Sequence, residues 1–375
     1  MRQILLRIAL DRPWSGWEAI PGDVPHLGAA WIWLLLGGIF LAYHALTRQR
    51  AVLKSLETWG LLMGGLLVIS FIHRFVPVPP SLPIFGYGMM VLIGFTVAMF
   101  FACARAKAVG INPELVVDSA FWVLISGVLG GRLAYLIQYR DQVFAPGMSF
   151  GQMLFKAVNL SEGGLVLLGA LVGGGIGVFA YAWSRKISAL EYGDLLIPSV
   201  FIGVGFGRIG CLLNGCCFGD RCELPWGIQF PAGSTTFNIL VERGFLNPDA
   251  LATMPLHPTQ IYSSLDGFLL AFVTAIYYWY RKHPGDALAL GCMLYSITRF
   301  LLEFLRADEL GQLGTTLTIS QFYSLGIFAL GLVIMLTGAR RGPARRPQFP
   351  NRLPDEKSEI PSANAKSGVR AVSGA

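Results

Sequence analysis

Residues 286–306 read DALALGCMLYSITRFLLEFLR, an apolar stretch as long as the roughly 20 residues that a membrane-spanning helix needs. Four of its polar side chains recur at intervals of four, four and three residues and therefore share one helical face: Tyr295, Arg299, Glu303 and Arg306. A charge in the hydrocarbon core is costly unless it faces a cavity or a partner, so this face cannot point at lipid. The pattern predicts an anion-binding site, and a purely structural intramembrane ion pair explains the spacing equally well.

The composition of the whole chain is that of a membrane protein. Of its 375 residues, 54% are hydrophobic and 14% charged, and its mean hydropathy is +0.57. An average soluble domain has roughly 25% charged residues. These values exclude a soluble protein and indicate helices, because backbone groups in lipid must find their hydrogen-bond partners within the chain.

Apolar runs of about span length occur nine times and predict an all-α, polytopic helical bundle of about nine spans. The runs are 29–46, 57–72, 86–106, 115–138, 163–184, 194–213, 262–280, 286–306 and 318–338. The second run is short and rich in glycine, so an interfacial or re-entrant helix is an alternative there. We expect an N-terminal extension with two candidate transmembrane helices at 1–76, a seven-span core at 85–338 and a disordered basic cytoplasmic tail at 339–375.

The loops carry the signals for topology. Lysine and arginine concentrate in alternate loops, which predicts an N-terminus outside and a C-terminus in the cytoplasm. The net charge of +7 is therefore mainly a topology signal, and no nucleic acid partner is expected. The longest outer loop, 214–261, is called the outer segment below, and its run PWGIQFP at 225–231 predicts a short strand. A stiff linker is expected at 77–83.

The densest motif is GRIGCLLNGCCFG at 207–219, at the end of the sixth run. Its glycines let the backbone approach a ligand closely, and Arg208 supplies a cation with several donors that suit a phosphate. Asn214 can both donate and accept hydrogen bonds. The motif predicts binding of a phosphate-bearing headgroup. The alternative is that the glycines serve helix packing and that Arg208 extends to the membrane interface.

Other polar positions lie at the ends of the apolar runs. Arg132 follows two glycines in the fourth run, and Glu162 precedes the fifth. The glycines between 169 and 177 predict mainly close helix packing. The run HPTQIY at 257–262 precedes the seventh helix, and a structural cap is the simpler role for its histidine.

Four cysteines lie within a dozen residues, at Cys211, Cys216, Cys217 and Cys222. Zinc binding, a disulfide and simple packing are all compatible with this cluster. The spacing lacks the paired CxxC form of strong zinc motifs, and no histidine is near in sequence. We therefore expect a disulfide that involves Cys222, and no metal.

In their order, these motifs resemble those of the bacterial prolipoprotein diacylglyceryl transferases over about 85–338. The matching stretches are Tyr87-Gly88-Met89, Gly131-Arg132-Leu133-Ala134-Tyr135, Gly207 to Gly219, Pro225-Trp226-Gly227, His257 to Tyr262, and the face of Tyr295, Arg299, Glu303 and Arg306. The family has seven spans with the N-terminus outside and the C-terminus inside. The first two runs are then an addition without an assigned role.

The resemblance implies transfer of the diacylglyceryl group from phosphatidylglycerol to the lipobox cysteine thiol of a preprolipoprotein, with release of glycerol phosphate, in the bacterial inner membrane. It implies no cofactor, and its implied partners are phosphatidylglycerol, the lipobox peptide and membrane lipids. The implied catalytic residues are Arg208 and Arg299, which bind the headgroup, and Glu303, which orients Arg299. The implied substrate-binding residues are Tyr87, Arg132, Asn214, Gly219, His257, Gln260, Tyr262, Tyr295 and Arg306.

The chain departs from the family pattern where a proton acceptor is expected. Leu168 stands in place of a histidine, Cys211 and Cys216 replace an asparagine and a glutamate, and Ser263 replaces another glutamate. We hypothesise that Glu162 is the catalytic base; a water held by the arginines is an alternative, and Cys216 is a nucleophile only if a nearby cation lowers its pKa. A related transferase with another acceptor and a noncatalytic lipid-binding protein are rival functions.

Overall fold

The structure, a computed structural model, describes residues 4–17, 24–46, 56–75, 81–144, 148–159, 164, 166–306, 315 and 317–343. Most of these residues are helical, which confirms the predicted all-α class with one small sheet as an exception. The helices are α1 (Ala29–Leu46), α2 (Leu56–Phe75), α3 (Gly86–Ala108), α4 (Glu114–Gln138), α5 (Arg140–Val143), α6 (Phe150–Val158), α7 (Leu167–Ser184), α8 (Ala189–Asn214), α9 (Thr235–Glu242), α10 (Thr259–Tyr280), α11 (Asp286–Glu303) and α12 (Ile319–Leu336).

A helix occupies the position of each predicted apolar run. Within the described residues, five helices are long and apolar enough to cross a membrane, namely α3, α4, α8, α10 and α12. Large apolar side chains such as Phe100, Leu133 and Leu336 stay exposed on these helices, as expected where the surrounding medium is as apolar as they are. The protein is therefore a multi-pass membrane protein, while the number of nine spans stays a prediction.

A three-stranded sheet near the N-terminus was not predicted. Its strands are β1 (Ile4–Ala9), β2 (His26–Gly28) and β3 (Ser81–Phe85), in the order β2-β1-β3. β1 is parallel to β2 and antiparallel to β3. The expected linker at 77–83 is thus wrong from Ser81 onward, where the chain is a strand; its Pro83 is tolerated because β3 is an edge strand.

The chain divides into two compact units. One contains residues 1–98 and 196–341, and the other contains residues 99–195. In the second unit, α4 and α7 pack through glycines, as predicted. A Cβ atom on Gly130 would lie 2.4 Å from the carbonyl oxygen of Gly169, and one on Gly173 would lie 2.3 Å from that of Ser126. The two backbones therefore approach more closely than any other residue allows.

The outer segment folds around its own small core. Four buried side chains form it, Phe218, Phe230, Leu240 and Leu256. The strand predicted at 225–231 is reduced to isolated bridges, Ile228 with Leu256 and Pro231 with Ala252. The prolines at both ends, which lack an N–H donor, explain why a continuous ladder does not form.

The beginning of the predicted disordered tail is ordered. Gly338–Arg341 form a 3₁₀ turn, and Nη1 of Arg341 donates a hydrogen bond of 2.6 Å to the carbonyl oxygen of Pro284. The prediction for 339–375 is therefore wrong for its first residues. Residues 344–375 lie outside the described part of the chain.

Candidate functional site

A buried carboxylate organises the end of α11. Glu303 is 3% exposed and forms an ion pair with Arg299, one helical turn earlier. Its other oxygen accepts a hydrogen bond of 2.9 Å from Oγ1 of Thr318, the N-cap of α12. Nη2 of Arg299 donates to Oγ of Ser320 at 3.0 Å. Glu303 thus fixes Arg299 in position, and the start of α12 holds both.

Arg306 does not lie on the helical face predicted for it. α11 ends at Glu303, and the following N–H groups bond to carbonyl groups three residues back, which ends the α-helical turn. Arg306 instead forms an isolated β-bridge with Gly219, and its guanidinium lies 3.7 Å from the carboxylate of Glu303. Both arginines therefore interact with Glu303.

Gly219 lies where three chain segments meet. Its N–H donates to the carbonyl oxygen of His257 at 3.1 Å, and the N–H of Asp220 donates to that of Leu305 at 2.9 Å. A Cβ atom on Gly219 would lie 2.7 Å and 2.8 Å from those two carbonyl oxygens. Only glycine permits this approach, which connects the outer segment to the end of α11.

The loop 215–219, called the signature loop here, is held by hydrogen bonds to its carbonyl groups. Oγ1 of Thr236 donates to Gly215 at 2.7 Å, Oγ1 of Thr259 to Cys217 at 2.8 Å and Nε2 of Gln260 to Cys216 at 2.9 Å. Two residues of the HPTQIY motif therefore hold the signature loop in place. Thr236 was not identified from the sequence, since a threonine in a long loop carries no local signal, and Thr259 was noted only as part of the HPTQIY motif.

Three thiols gather beside Arg208. The Sγ atoms of Cys211, Cys216 and Cys217 all lie within 4.8 Å of one another. The pKa of the Cys217 thiol is lowered, chiefly by hydrogen bonds from Cys211 and Cys216 and further by the charges of Arg208 and Arg306, against the effect of burial. Arg208 makes no hydrogen bond or ion pair with any described residue. Its guanidinium is therefore available to an anion.

Three predicted substrate-binding residues, Tyr87, Asn214 and Tyr295, lie around Arg208 and the three thiols. Tyr87, at the start of α3, packs on Gly210 and lies within electrostatic range of Arg208 and the three thiols. Asn214 is the last residue of α8. Tyr295 contacts Phe201 with a ring-centroid distance of 5.9 Å.

His257 and Tyr262 form a polar pair with Trp226 in the outer segment. Nδ1 of His257 lies 3.4 Å from Oη of Tyr262, which accepts a hydrogen bond of 2.7 Å from Nε1 of Trp226. The hydroxyl of Tyr262 thus contacts both His257 and the exposed indole of Trp226. This arrangement fits a positioning role for the pair at the start of α10.

Arg132 belongs to the other unit. Its guanidinium donates to the carbonyl oxygens of Lys156, Ala157 and Asn159 at the end of α6 and to that of Gly164. It also lies over the ring of Tyr135, 5.1 Å from the centroid. In this structure the donors of Arg132 are thus directed at backbone oxygens. Glu162, the predicted base, lies outside the described residues.

The predicted disulfide is not formed. Cys222 is a free thiol and is 2% exposed. The remaining cysteines of the described chain are also free. A small apolar side chain packed in a core accounts for Cys222.

Known proteins resemble this chain over most of its length. The sequence model of the prolipoprotein diacylglyceryl transferase family matches residues 73–337. A phosphatidylglycerol–prolipoprotein diacylglyceryl transferase of Clostridium tetani is 35% identical over 255 residues, which are 68% of this chain and 93% of the relative. One from Clostridium perfringens is 34% identical over 254 residues, 68% of this chain and 91% of the relative. One from Rhodopirellula baltica is 27% identical over 448 aligned residues and covers 89% of each chain. The chain belongs to the prolipoprotein diacylglyceryl transferase family.

Proposed function

We propose that this protein transfers the diacylglyceryl group of phosphatidylglycerol to the lipobox cysteine thiol of preprolipoproteins. The relatives above carry the names of these two substrates. The observation that carries the proposal is the pairing of Arg299 and Arg306 with the buried carboxylate of Glu303, together with Arg208, whose charge acts on that of Arg306. Three guanidinium groups minus one carboxylate leave two positive charges, which suits a phosphate diester that becomes a phosphate monoester.

The chemistry requires charge stabilisation at the leaving group. A thiolate attacks an sp³ carbon of the glycerol, and the electron pair of the breaking C–O bond stays on the phosphate. Arg208 has no hydrogen-bond partner among the described residues, so its donors suit that phosphate, and Glu303 holds Arg299 and Arg306 in position. Fixed cations in a site shielded from water stabilise developing charge more than mobile ones in bulk solvent.

The outer segment offers a place for the acceptor peptide. A cavity of about 560 Å³ lies against Gly219, with walls made by apolar side chains, two arginines and Asp220. The lining includes Phe218, Leu240, Arg243, Phe245, Met254 and Leu256. An apolar peptide that carries a cysteine would place its thiol near the signature loop. The protein then sits in the bacterial inner membrane among membrane lipids, with the N-terminus and the outer segment outside and the C-terminus in the cytoplasm.

The test is transfer of radiolabelled lipid from phosphatidylglycerol to a lipobox peptide by the purified full-length protein. We expect transfer by the wild type, loss of transfer in Arg208→Ala and in Arg299→Ala, and normal transfer in Arg185→Ala. Arg185 is a fair control because it forms an exposed ion pair with Asp118. No transfer by a well-folded wild type would reject this activity in favour of another acceptor or of lipid binding alone.

A further inference from the structure

The three thiols of Cys211, Cys216 and Cys217 form a compact group with no part in the mechanism above. We call them the thiol cluster. The spacing of the cysteines predicted no metal, because it lacks the CxxC form. The three thiols are nevertheless close in space, since the chain turns back after α8 and places all three Sγ atoms within 4.8 Å of one another.

The dimensions of the thiol cluster suit a thiophilic cation. Zinc–sulfur bonds of about 2.3 Å in a tetrahedron put neighbouring sulfur atoms about 3.8 Å apart. The cluster needs only a small contraction to reach that spacing. Its ligands are all sulfur, which favours Zn²⁺ over Mg²⁺ or Ca²⁺.

The backbone around the thiol cluster is fixed in advance. Cys217 has a φ of 59°, a left-handed conformation that a non-glycine residue adopts only where the surroundings impose it. Thr259 and Gln260 hold the carbonyl groups of Cys217 and Cys216. A cation would therefore find its ligands close together, without the cost of ordering a flexible loop.

The surroundings also suit the charge of the complex. Three thiolates and one Zn²⁺ carry a net charge of −1, and the charges of Arg208 and Arg306 both act on Cys217. In addition, Oε1 of Gln260 is buried without a hydrogen-bond partner in the described structure, although Nε2 of the same side chain binds the carbonyl of Cys216. Such an unsatisfied acceptor suits a water molecule or a ligand at this loop.

We propose that the thiol cluster binds a zinc ion whose open fourth position takes the thiol of the acceptor cysteine. Three protein ligands with one open position are the arrangement of catalytic zinc sites, whereas structural sites have four protein ligands. The inference rests on the proposed function. The zinc ion would replace the catalytic base that the residue pattern lacks, because a metal-bound thiol is deprotonated without a nearby base.

The acceptor thiol binds to zinc before the lipid group is transferred. The acceptor thiol displaces the zinc-bound water and gives its proton to solvent. The sulfur lone pair of the bound thiolate forms the S–C bond to the glycerol carbon while the C–O bond to phosphate breaks. The electron pair of that bond leaves with the phosphate oxygen as glycerol phosphate, next to Arg208. The neutral thioether is a weak ligand, so it leaves the zinc and water returns.

The first test measures zinc directly. The full-length protein is purified in detergent, stripped with a chelator and titrated with Zn²⁺, and bound metal is measured by mass spectrometry. We expect about one zinc ion per chain and binding at least about tenfold weaker in each of Cys211→Ser, Cys216→Ser and Cys217→Ser. Cys292→Ser is the matched control, since Cys292 is a free thiol within α11 and outside the cluster. Absence of bound zinc in the wild type, or equal binding by the cluster variants, overturns the inference.

A second measurement tests the open position without relying on turnover. Co²⁺ replaces zinc, and its absorption bands report sulfur ligands in a tetrahedral site. A lipobox peptide should change the spectrum, and the same peptide with serine in place of cysteine should not. An identical response to both peptides overturns the role of the open position. Transfer that survives complete zinc removal also overturns the inference yet leaves the proposed function standing. Loss of transfer in Arg208→Ala while zinc stays bound would support the proposed function independently of the zinc site.

Discussion

Gly219 and Arg306 form a bridged pair that connects the signature loop to the residues just after α11. Through this pair, the segment that carries the thiol cluster is fixed against the segment that carries Glu303. The bridge depends on close backbone approach at Gly219, where any Cβ atom would meet the carbonyl oxygens of His257 and Leu305. Two parts of the site that are distant in sequence are thus aligned by one glycine.

We expect Gly219→Ala to abolish transfer and to destabilise the protein by about 1–3 kcal/mol, the usual range for an overpacked site. The added methyl group would push the signature loop away from Arg306, because its nearest neighbours are the Cβ atom and carbonyl oxygen of His257 and the carbonyl oxygen of Leu305, which cannot rotate aside. Thermal unfolding in detergent and the transfer assay both measure this effect. Gly203→Ala is the control, since a Cβ atom there meets nothing within 4 Å; equal behaviour of the two variants would show that the bridge is unimportant.

Glu303→Gln should separate binding from turnover. The amide keeps the size of the side chain but removes the charge that holds Arg299 and Arg306. Loss of one partner from a buried ion pair costs on the order of 3 kcal/mol, so stability should fall. We expect kcat to fall by at least about tenfold, while the KM for phosphatidylglycerol stays the same or decreases because both arginines become available to its phosphate. A higher KM with unchanged kcat would contradict this role.

We expect substitutions in the packing of α4 on α7 to change stability alone. Gly130→Ala places a methyl group 2.4 Å from the carbonyl oxygen of Gly169, so the helices must separate. We expect a loss of about 1–3 kcal/mol in unfolding free energy, measured as a lower midpoint of thermal unfolding in detergent. Gly175→Ala lies on the same helix pair with nothing within 4 Å and should be neutral or slightly stabilising. A neutral Gly130→Ala would show that this contact is looser than the structure describes.

The helices were predictable from sequence because hydropathy over a span length is a local property, and a helix lies at each predicted run. The sheet was not, since β1 and β3 are separated by two helices and neither strand has a strong signal of its own. The position of Arg306 was missed because helical periodicity was continued past the end of α11 at Glu303. The cysteines were grouped from the sequence, but Cys222 was wrongly expected to form a disulfide, because spacing alone cannot show that the chain turns at Cys217 with a positive φ and leaves Cys222 as a free thiol.

Arg132 was predicted to bind substrate, but its guanidinium donates to backbone carbonyl groups. We therefore expect its substitution to affect structure rather than lipid binding. The carbonyl groups of Lys156, Ala157, Asn159 and Gly164 accept from its guanidinium, so we expect Arg132→Lys to loosen the segment 156–159 at the end of α6, because a lysine ammonium cannot reproduce the planar set of donors. Limited proteolysis in detergent should then cut this segment faster than in the wild type. Stability should decrease by on the order of 2 kcal/mol, with the KM for phosphatidylglycerol unchanged. Arg185→Lys, at an exposed ion pair of the same unit, is the control and should change neither quantity. A raised KM without faster cleavage would instead support direct contact between Arg132 and the lipid.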